Sequence, residues 1–340
     1  MHRRPASIAL LAFFAVTVGF FCLFAPNFAT APNIENVMSG FSFVAILAMG
    51  QAFPILLRGI DLSIGAIVAL AGMVAFDFTL IFHIPGYVVL PIALIAATSA
   101  GAMNGILIVY LRLQPFIATL ATLAAYRGLV FAISGRQLVP ELSTTPITDP
   151  WIVGLESYFD ISETLGISDY VQLPWIPLSF FLMIALLIAF QVLLLSTRLG
   201  RDIYTVGGNQ EAARLAGVNT RRIIVLAYAI SGFCAGVAAL LLIARLTTAT
   251  EALGTGMELT AIAAAVIGGV SLQGGVGAVF GPVIGAFLLG VVLIGLTLLG
   301  VSQFVQQILT GAILLAAVCY DRFLMVQRQR RAAANMGVSV

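Results

Sequence analysis

The side chains able to do chemistry in this chain are few, and they lie singly among apolar residues. Asp61 stands between Ile60 and Leu62, with Ser63 two residues on and Gly59 and Gly65 flanking the stretch. An ionised carboxylate in hydrocarbon is costly, so it must pair, cap a helix or line water. Asp61 therefore either caps the apolar segment that follows or marks a break between half-helices, where free N–H groups and a carboxylate meet ligand hydroxyls. Arg58 is its expected partner in both cases. Gln51, Asn104, Thr119, Thr122 and Gln273 are neutral hydrogen-bonding residues inside apolar segments. Such residues serve either contacts between neighbouring helices or a polar ligand. Glu258 heads another apolar segment and suits a first helical turn, where the positive end of the helix dipole favours an anion. Ser271 lies in the glycine-rich run Gly268–Gly277, which echoes Gly59–Gly65 as G-[IV]-[DS]-L-x-x-G, a faint internal repeat. Glycines there permit positive φ and close helix approach. Arg127 and Arg245 are expected to snorkel at span ends, and Asp77 has no evident partner.

The motifs of enzymes are missing. There is no HExxH, no GxSxG and no GxxxxGK[ST] phosphate loop, and the chain is not expected to be an enzyme. Cys22, Cys234 and Cys319 stand alone in apolar segments, so they read as buried small hydrophobes rather than as metal ligands or a disulfide framework. All 16 basic residues are arginine, and none forms a basic stripe of the kind that binds nucleic acid.

The elements that must position these residues follow from composition. Of 340 residues, 61% are hydrophobic and only 9% are charged; mean hydropathy is +1.10. A soluble domain carries about 25% charged residues, so the solvent for most of this chain is lipid. The apolar runs do not alternate as barrel strands would, and backbone groups in hydrocarbon must then be satisfied within helices. The fold class expected is an all-α polytopic membrane protein, a single transmembrane domain over 1–340. Ten apolar segments run at about 7–25, 37–57, 63–82, 88–111, 116–133, 176–196, 223–245, 259–274, 279–300 and 303–321. The 259–274 segment is short and ends in glycines, which suggests a discontinuous helix lining a cavity. The first segment follows Arg3 and Arg4 and reads as an uncleaved span. With both termini cytoplasmic, 13 of the 16 arginines fall inside, all but Arg127, Arg136 and Arg245, as the positive-inside rule requires.

Two loops interrupt the spans. The outer one, about 134–175, carries Glu141, Asp149, Glu156, Asp160, Glu163 and Asp169 against Arg136, a net of −5, and its prolines and aromatics suggest an ordered cap. The inner one, about 197–222, has a net of +3. Within it, Gly208-Asn209-Gln210-Glu211-Ala212-Ala213-Arg214-Leu215-Ala216-Gly217 has the signature of a short capped helix. Asn209 suits the N-cap, Glu211 the first turn and Gly217 a positive-φ C-terminal cap. Ala212, Leu215 and Ala216 share one expected apolar face, with Glu211 and Arg214 free for polar contacts. A two-turn helix is not stable in isolation, so it must dock, either on this chain's own span ends or in a partner. Asn219-Thr220 then caps the next span.

Four stretches carry a family resemblance, in one order: Arg58–Gly65, Leu120–Gly128, Gly200–Val218 and Glu258–Gly277. Together they resemble the bacterial ABC-type monosaccharide permeases of the ribose, galactose and xylose importers, which are akin to branched-chain amino-acid permeases. The likeness spans about 37–321; one departure is Arg58-Gly59-Ile60-Asp61 where the family has Gly-Gly-Ile-Asp. The resemblance implies a type II ABC importer-like permease in the bacterial inner membrane, paired with a second copy or a paralogue, with the path between the two. It implies cytoplasmic ATPases holding Gly208–Gly217, with ATP and magnesium on those chains and no cofactor on this one, and a periplasmic sugar-binding protein at the outer face. Candidates for lining the path are Gln51, Asp61, Ser63, Asn104, Thr119, Thr122, Glu258, Ser271 and Gln273. The competing reading is an ion-coupled secondary carrier, which would use Asp61 or Asp77 as its ion site.

Overall fold

A computed structural model describes residues 4–134, 146–164 and 173–335. Twelve helices carry the described architecture. They are α1 (Arg4–Phe24), α2 (Ala31–Leu56), α3 (Ile64–Leu80), α4 (Gly86–Tyr110), α5 (Pro115–Ile133), α6 (Leu178–Ser196), α7 (Arg198–Gly208), α8 (Gln210–Leu215), α9 (Thr220–Leu246), α10 (Met257–Ile267), α11 (Phe280–Leu298) and α12 (Gln303–Asn335). Six of them, α2, α4, α5, α6, α9 and α11, are long and apolar enough to cross a membrane, and α1, α3, α10 and α12 contain shorter apolar stretches.

α2 is the axis of the bundle. Every residue from Ser42 to Leu56 is buried, because α9, α11, α10 and α6 all pack on it. α4 lies along α9 at close range: a Cβ on Gly101 or Gly232 would overlap backbone of the facing helix. Glycine at both positions lets the two backbones meet, a common basis of helix pairing where lipid offers no hydrophobic gain. α1 packs on α11, with Phe21 against Gly295.

The sequence-derived boundaries hold with three differences. α2 begins at Ala31, six residues before the apolar run, because Thr30 and Pro32 start it. α12 continues to Asn335, since Gln, Arg and Ala sustain a helix after the apolar residues end. α10 stops at Ile267 after 11 residues, about 16 Å and near half a bilayer. The residues before it, Thr247–Gly256, are irregular and lie along α3, where Leu253 meets Gly72. α10 is thus a half-helix with extended chain before it and the glycine run after it.

One helix was not anticipated. α7, within the stretch expected to be loop, is capped by Thr197, whose Oγ1 accepts Gly200 N at 3.2 Å. It buries Ile203, Val206 and Gly207. The signal was present in the sequence as apolar residues Leu199, Ile203 and Val206 at helical spacing.

The described part of the outer loop is ordered against the ends of α2, α4, α6 and α9. Tyr158–Phe159 (β1) pairs antiparallel with Ile176–Pro177 (β2), Tyr158 opposite Pro177. Arg136, Glu141 and Asp169 lie outside the described residues.

Candidate functional site

The break between α2 and α3 gathers the polar residues. α2 ends in a turn in which Arg58 takes φ +64°, Arg58 N donates to Ile55 O at 2.9 Å and Gly59 N to Pro54 O at 2.8 Å. The chain then turns inward and Asp61 becomes fully buried. Its Oδ1 accepts Ser63 Oγ at 2.7 Å, Ser63 N at 3.0 Å and Asn104 Nδ2 at 3.4 Å. Its Oδ2 accepts Ser231 Oγ from α9 at 2.8 Å. Asn104 also donates to Ser63 Oγ at 2.7 Å. With its amide oriented to satisfy both atoms, Gln51 accepts Asp61 N at 3.0 Å and donates to Asp61 O at 3.3 Å. Thr119 of α5 donates to Ile60 O at 3.0 Å, and Thr122 to Thr119 O at 3.2 Å. Tyr126 donates to Ala100 O at 2.9 Å beside Asn104.

Gln51, Asp61, Ser63, Asn104, Thr119 and Thr122 are therefore one closed cluster joining α2, α3, α4, α5 and α9. Arg58 is not part of it. The expected pairing with Asp61 fails because the positive-φ turn carries the Arg58 side chain away, toward α7; neutral donors hold the carboxylate instead. Ser231, 170 residues from Asp61, gave no sign of this role in the sequence.

The other polar candidates lie elsewhere. Glu258 lies in the first turn of α10, as the sequence indicated, and packs on Gly65 at the start of α3, beside the Asp61 elbow. Ser271 N donates to Val276 O at 2.9 Å within the glycine run, and Gln273 is exposed there. α10 ends in the same kind of turn as α2, but one residue out of the register of the sequence repeat: Gly269, at φ +86°, stands where Arg58 does, and Val270 N donates to Ala265 O at 3.0 Å as Gly59 N does to Pro54 O. Asp77 is buried on α3, and its carboxylate enters none of the described hydrogen bonds. Of the three cysteines only Cys234 is buried, against Gly50, while Cys22 and Cys319 are exposed on the protein surface.

Two arginines expected to snorkel do not. Arg127 donates to Glu251 O at 2.7 Å and Leu253 O at 2.8 Å, so it holds the irregular segment before α10. Arg245, at the end of α9, donates to Ser39 Oγ and, at 2.5 Å, to Asn36 Oδ1, both on α2. It lies 3.7 Å from Glu156 of the outer loop, which also accepts Tyr158 OH at 2.9 Å and Ser39 Oγ. Burial and the neighbouring Glu156 carboxylate raise the Tyr158 pKa, which keeps that phenol a donor. Asp149 pins the same loop to α4, accepting Gly86 N at 2.9 Å and capping Pro150–Val153.

At the opposite end of α2 sits α8. Asn209 Oδ1 accepts Glu211 N at 3.1 Å and Ala212 N at 3.0 Å, and Gly217 takes φ +84°, as the sequence indicated. The helix has six residues. Its apolar faces are apportioned differently from expectation: Ala213 is the buried residue, while Ala212, Leu215 and Ala216 are exposed, Leu215 at 78%. Arg214 and Glu211 pair at 2.5 Å on the exposed side, and that bond lowers the Glu211 pKa. A cavity of about 360 Å³ opens beside α8, with Arg112, Arg214 and Arg221 on its wall and the partnerless, buried Tyr228 hydroxyl among its lining.

Residues 33–318 match the family model described as branched-chain amino acid transport system / permease component. The chain belongs to this permease family. Among curated proteins it is 37% identical to the ribose import permease protein of Escherichia coli K12, over 94% of each chain. It is 35% identical to the ribose import permease protein of Haemophilus influenzae, over 95% of this chain and 94% of that one. It is also 35% identical to the D-allose transport system permease protein of Escherichia coli K12, over 95% of this chain and 96% of that one. No solved structure matches the chain. The resemblance read from four motifs is thus borne out at the level of the family, and with it a multi-pass membrane permease. In that permease the Asp61 cluster and α8 sit at the two ends of one short segment of packing, the terminus of α2 and the glycine run.

Proposed function

We propose that this chain is the membrane-spanning subunit of an ATP-binding-cassette importer that moves a small sugar from periplasm to cytoplasm. In this reading it crosses the inner membrane ten times with both termini cytoplasmic and works beside a second copy or a paralogue. Separate ATPase chains hold α8 and carry the ATP and magnesium; a periplasmic sugar-binding protein meets the outer loop.

The observation that carries the proposal is the state of α8. Two turns of helix cannot hold themselves, yet this one is capped at both ends and anchored by a single alanine, Ala213. Its remaining apolar residues, led by Leu215, face outward beside a fixed Glu211–Arg214 pair. A preformed knob with an apolar centre and a charged rim suits a groove on a partner. The relatives' names, ribose and allose permeases, and that of the L-arabinose transport system permease protein of Escherichia coli K12, 34% identical over 92% of this chain and 90% of that one, supply the substrate class. The ion-coupled carrier finds less support at Asp61, where neutral donors already occupy both oxygens.

The test is purification of the tagged chain from its native membrane in mild detergent, with mass spectrometry of what accompanies it. An ATPase chain is expected with the wild type and is expected to be lost on Leu215→Glu, with the permease itself still folded. Recovery of the permease without an ATPase in several detergents would overturn the reading.

A further inference from the structure

Arg58 is an odd residue for its place. It adopts φ +64°, a conformation that glycine takes freely and a residue with a Cβ takes at a cost. Its side chain crosses to the C-terminus of α7, where Nε donates to Gly207 O at 2.9 Å and Nη2 donates to Gly208 O. These carbonyls belong to a helix end, where acceptors lack intrahelical partners and a cation is favoured. The next residue, Asn209, caps α8. Three residues beyond Arg58 lies Asp61, centre of the buried cluster.

The contact around the guanidinium is tight. A Cβ on Gly207 would overlap Leu56 O, the last carbonyl of α2. Gly275 N donates to that same Leu56 O at 2.8 Å, and Gly274 lies against Arg58 Cγ and Gly207 O. Tyr204 of α7 donates to Gly277 O at 2.8 Å. The end of α2, the end of α7 and the glycine run after α10 therefore meet backbone to backbone, with Arg58 as the side chain that ties α7 to the elbow.

We propose that Arg58 is the positioning residue that carries movement of α8 into the α2–α3 elbow and so into the Asp61 cluster. The inference rests on the importer reading. A push on α8 reaches Gly208 through one residue of chain, and the forked guanidinium, holding two consecutive carbonyls, transmits rotation as well as displacement. Without the fork, α8 moves against a glycine-lined contact that can slide.

Arg58→Gly separates this role from a structural one. Glycine suits φ +64° better than arginine, so the turn itself is preserved while the strap is removed. The assay is the permease with its co-purified ATPase in proteoliposomes, with the periplasmic sugar-binding protein of the same cells added outside, measuring uptake of labelled ribose, allose and arabinose against ATP hydrolysed. The Arg58→Gly complex is expected to stay assembled, with an unchanged thermal midpoint and ATP hydrolysis near that of the wild type. Uptake per ATP is expected to fall roughly tenfold, the ordinary scale of a coupling between sites. Arg58→Lys, a point donor in place of a fork, should fall between the two. Wild-type uptake per ATP in both variants would overturn the strap and leave the importer reading intact. Should the glycine variant fail to assemble, Arg58→Lys at wild-type coupling would overturn it equally. A wild-type complex that drives none of the three sugars would remove the importer reading, and the strap with it.

Discussion

At the scale of the residue, Asp61 shows how a buried carboxylate is tolerated in this protein. It has no guanidinium beside it; serine, asparagine and backbone donors share its two oxygens. Removing the acceptor leaves those buried donors unpaired, which costs more than the hydrogen bonds contributed. Asp61→Ala is expected to destabilise the folded protein by about 3 kcal/mol, read as a lowered thermal midpoint in detergent. The glycines at the end of α7 make a paired prediction. A side chain at Gly207 would meet backbone of Leu56 and Gly275, which cannot swing aside, whereas one at Gly208 meets nothing within 4 Å. Gly207→Ala should therefore lower both the thermal midpoint and the yield of folded protein, and Gly208→Ala should match the wild type on both.

At the scale of the element, the outer loop is held by a network that joins it to two spans. Arg245 of α9 ties Ser39 and Asn36 of α2 to Glu156, and Trp175 N donates to Glu35 at 2.8 Å. Arg245→Ala should free the loop without unfolding the bundle. Proteolysis within 147–177 is expected to quicken roughly fivefold or more, the consequence of losing one to two kcal/mol of local stability. Unchanged cleavage would show that Asp149 and the β1–β2 pair hold the loop by themselves. α10 makes a different point. Its 11 residues span half a bilayer, and non-helical backbone at that depth survives only where protein or water satisfies it; Arg127 does so for Glu251 and Leu253.

At the scale of the whole molecule, the polar candidates on α2 to α5 face one another inside a single chain. A path for a polar solute then finds better support between two permeases than through one. The exposed apolar residues of α5 and α12, among them Phe116, Ile117, Phe304 and Ile308, are open to lipid or, in the proposed pair, to the second copy. Native mass spectrometry of the assembly from nanodiscs should find two permease chains for each functional unit; one chain alone would return the path to the interior of the monomer. Between α1, α2, α6 and α11 lies an apolar groove of about 390 Å³.

The sequence by itself determined the solvent, the helices and the caps. Lipid as the medium follows from 9% charged residues, and a helix in lipid must satisfy its own backbone, so span positions could be read locally. α8 was legible for the same reason, since Asn209 and Gly217 act within four residues of themselves. The tertiary structure alone decided which side chain meets which. Arg58 turned from its near neighbour Asp61 to carbonyls 149 and 150 residues away because one backbone angle reversed its direction. Ser231 reached Asp61 because α9 packs on α2 and α3, and Leu215 was left outside because Ala213 took the only inward place on a six-residue helix. Hydrogen-bond partners across helices depend on rotation and depth of packing, and neither is written in the spacing of residues along one segment.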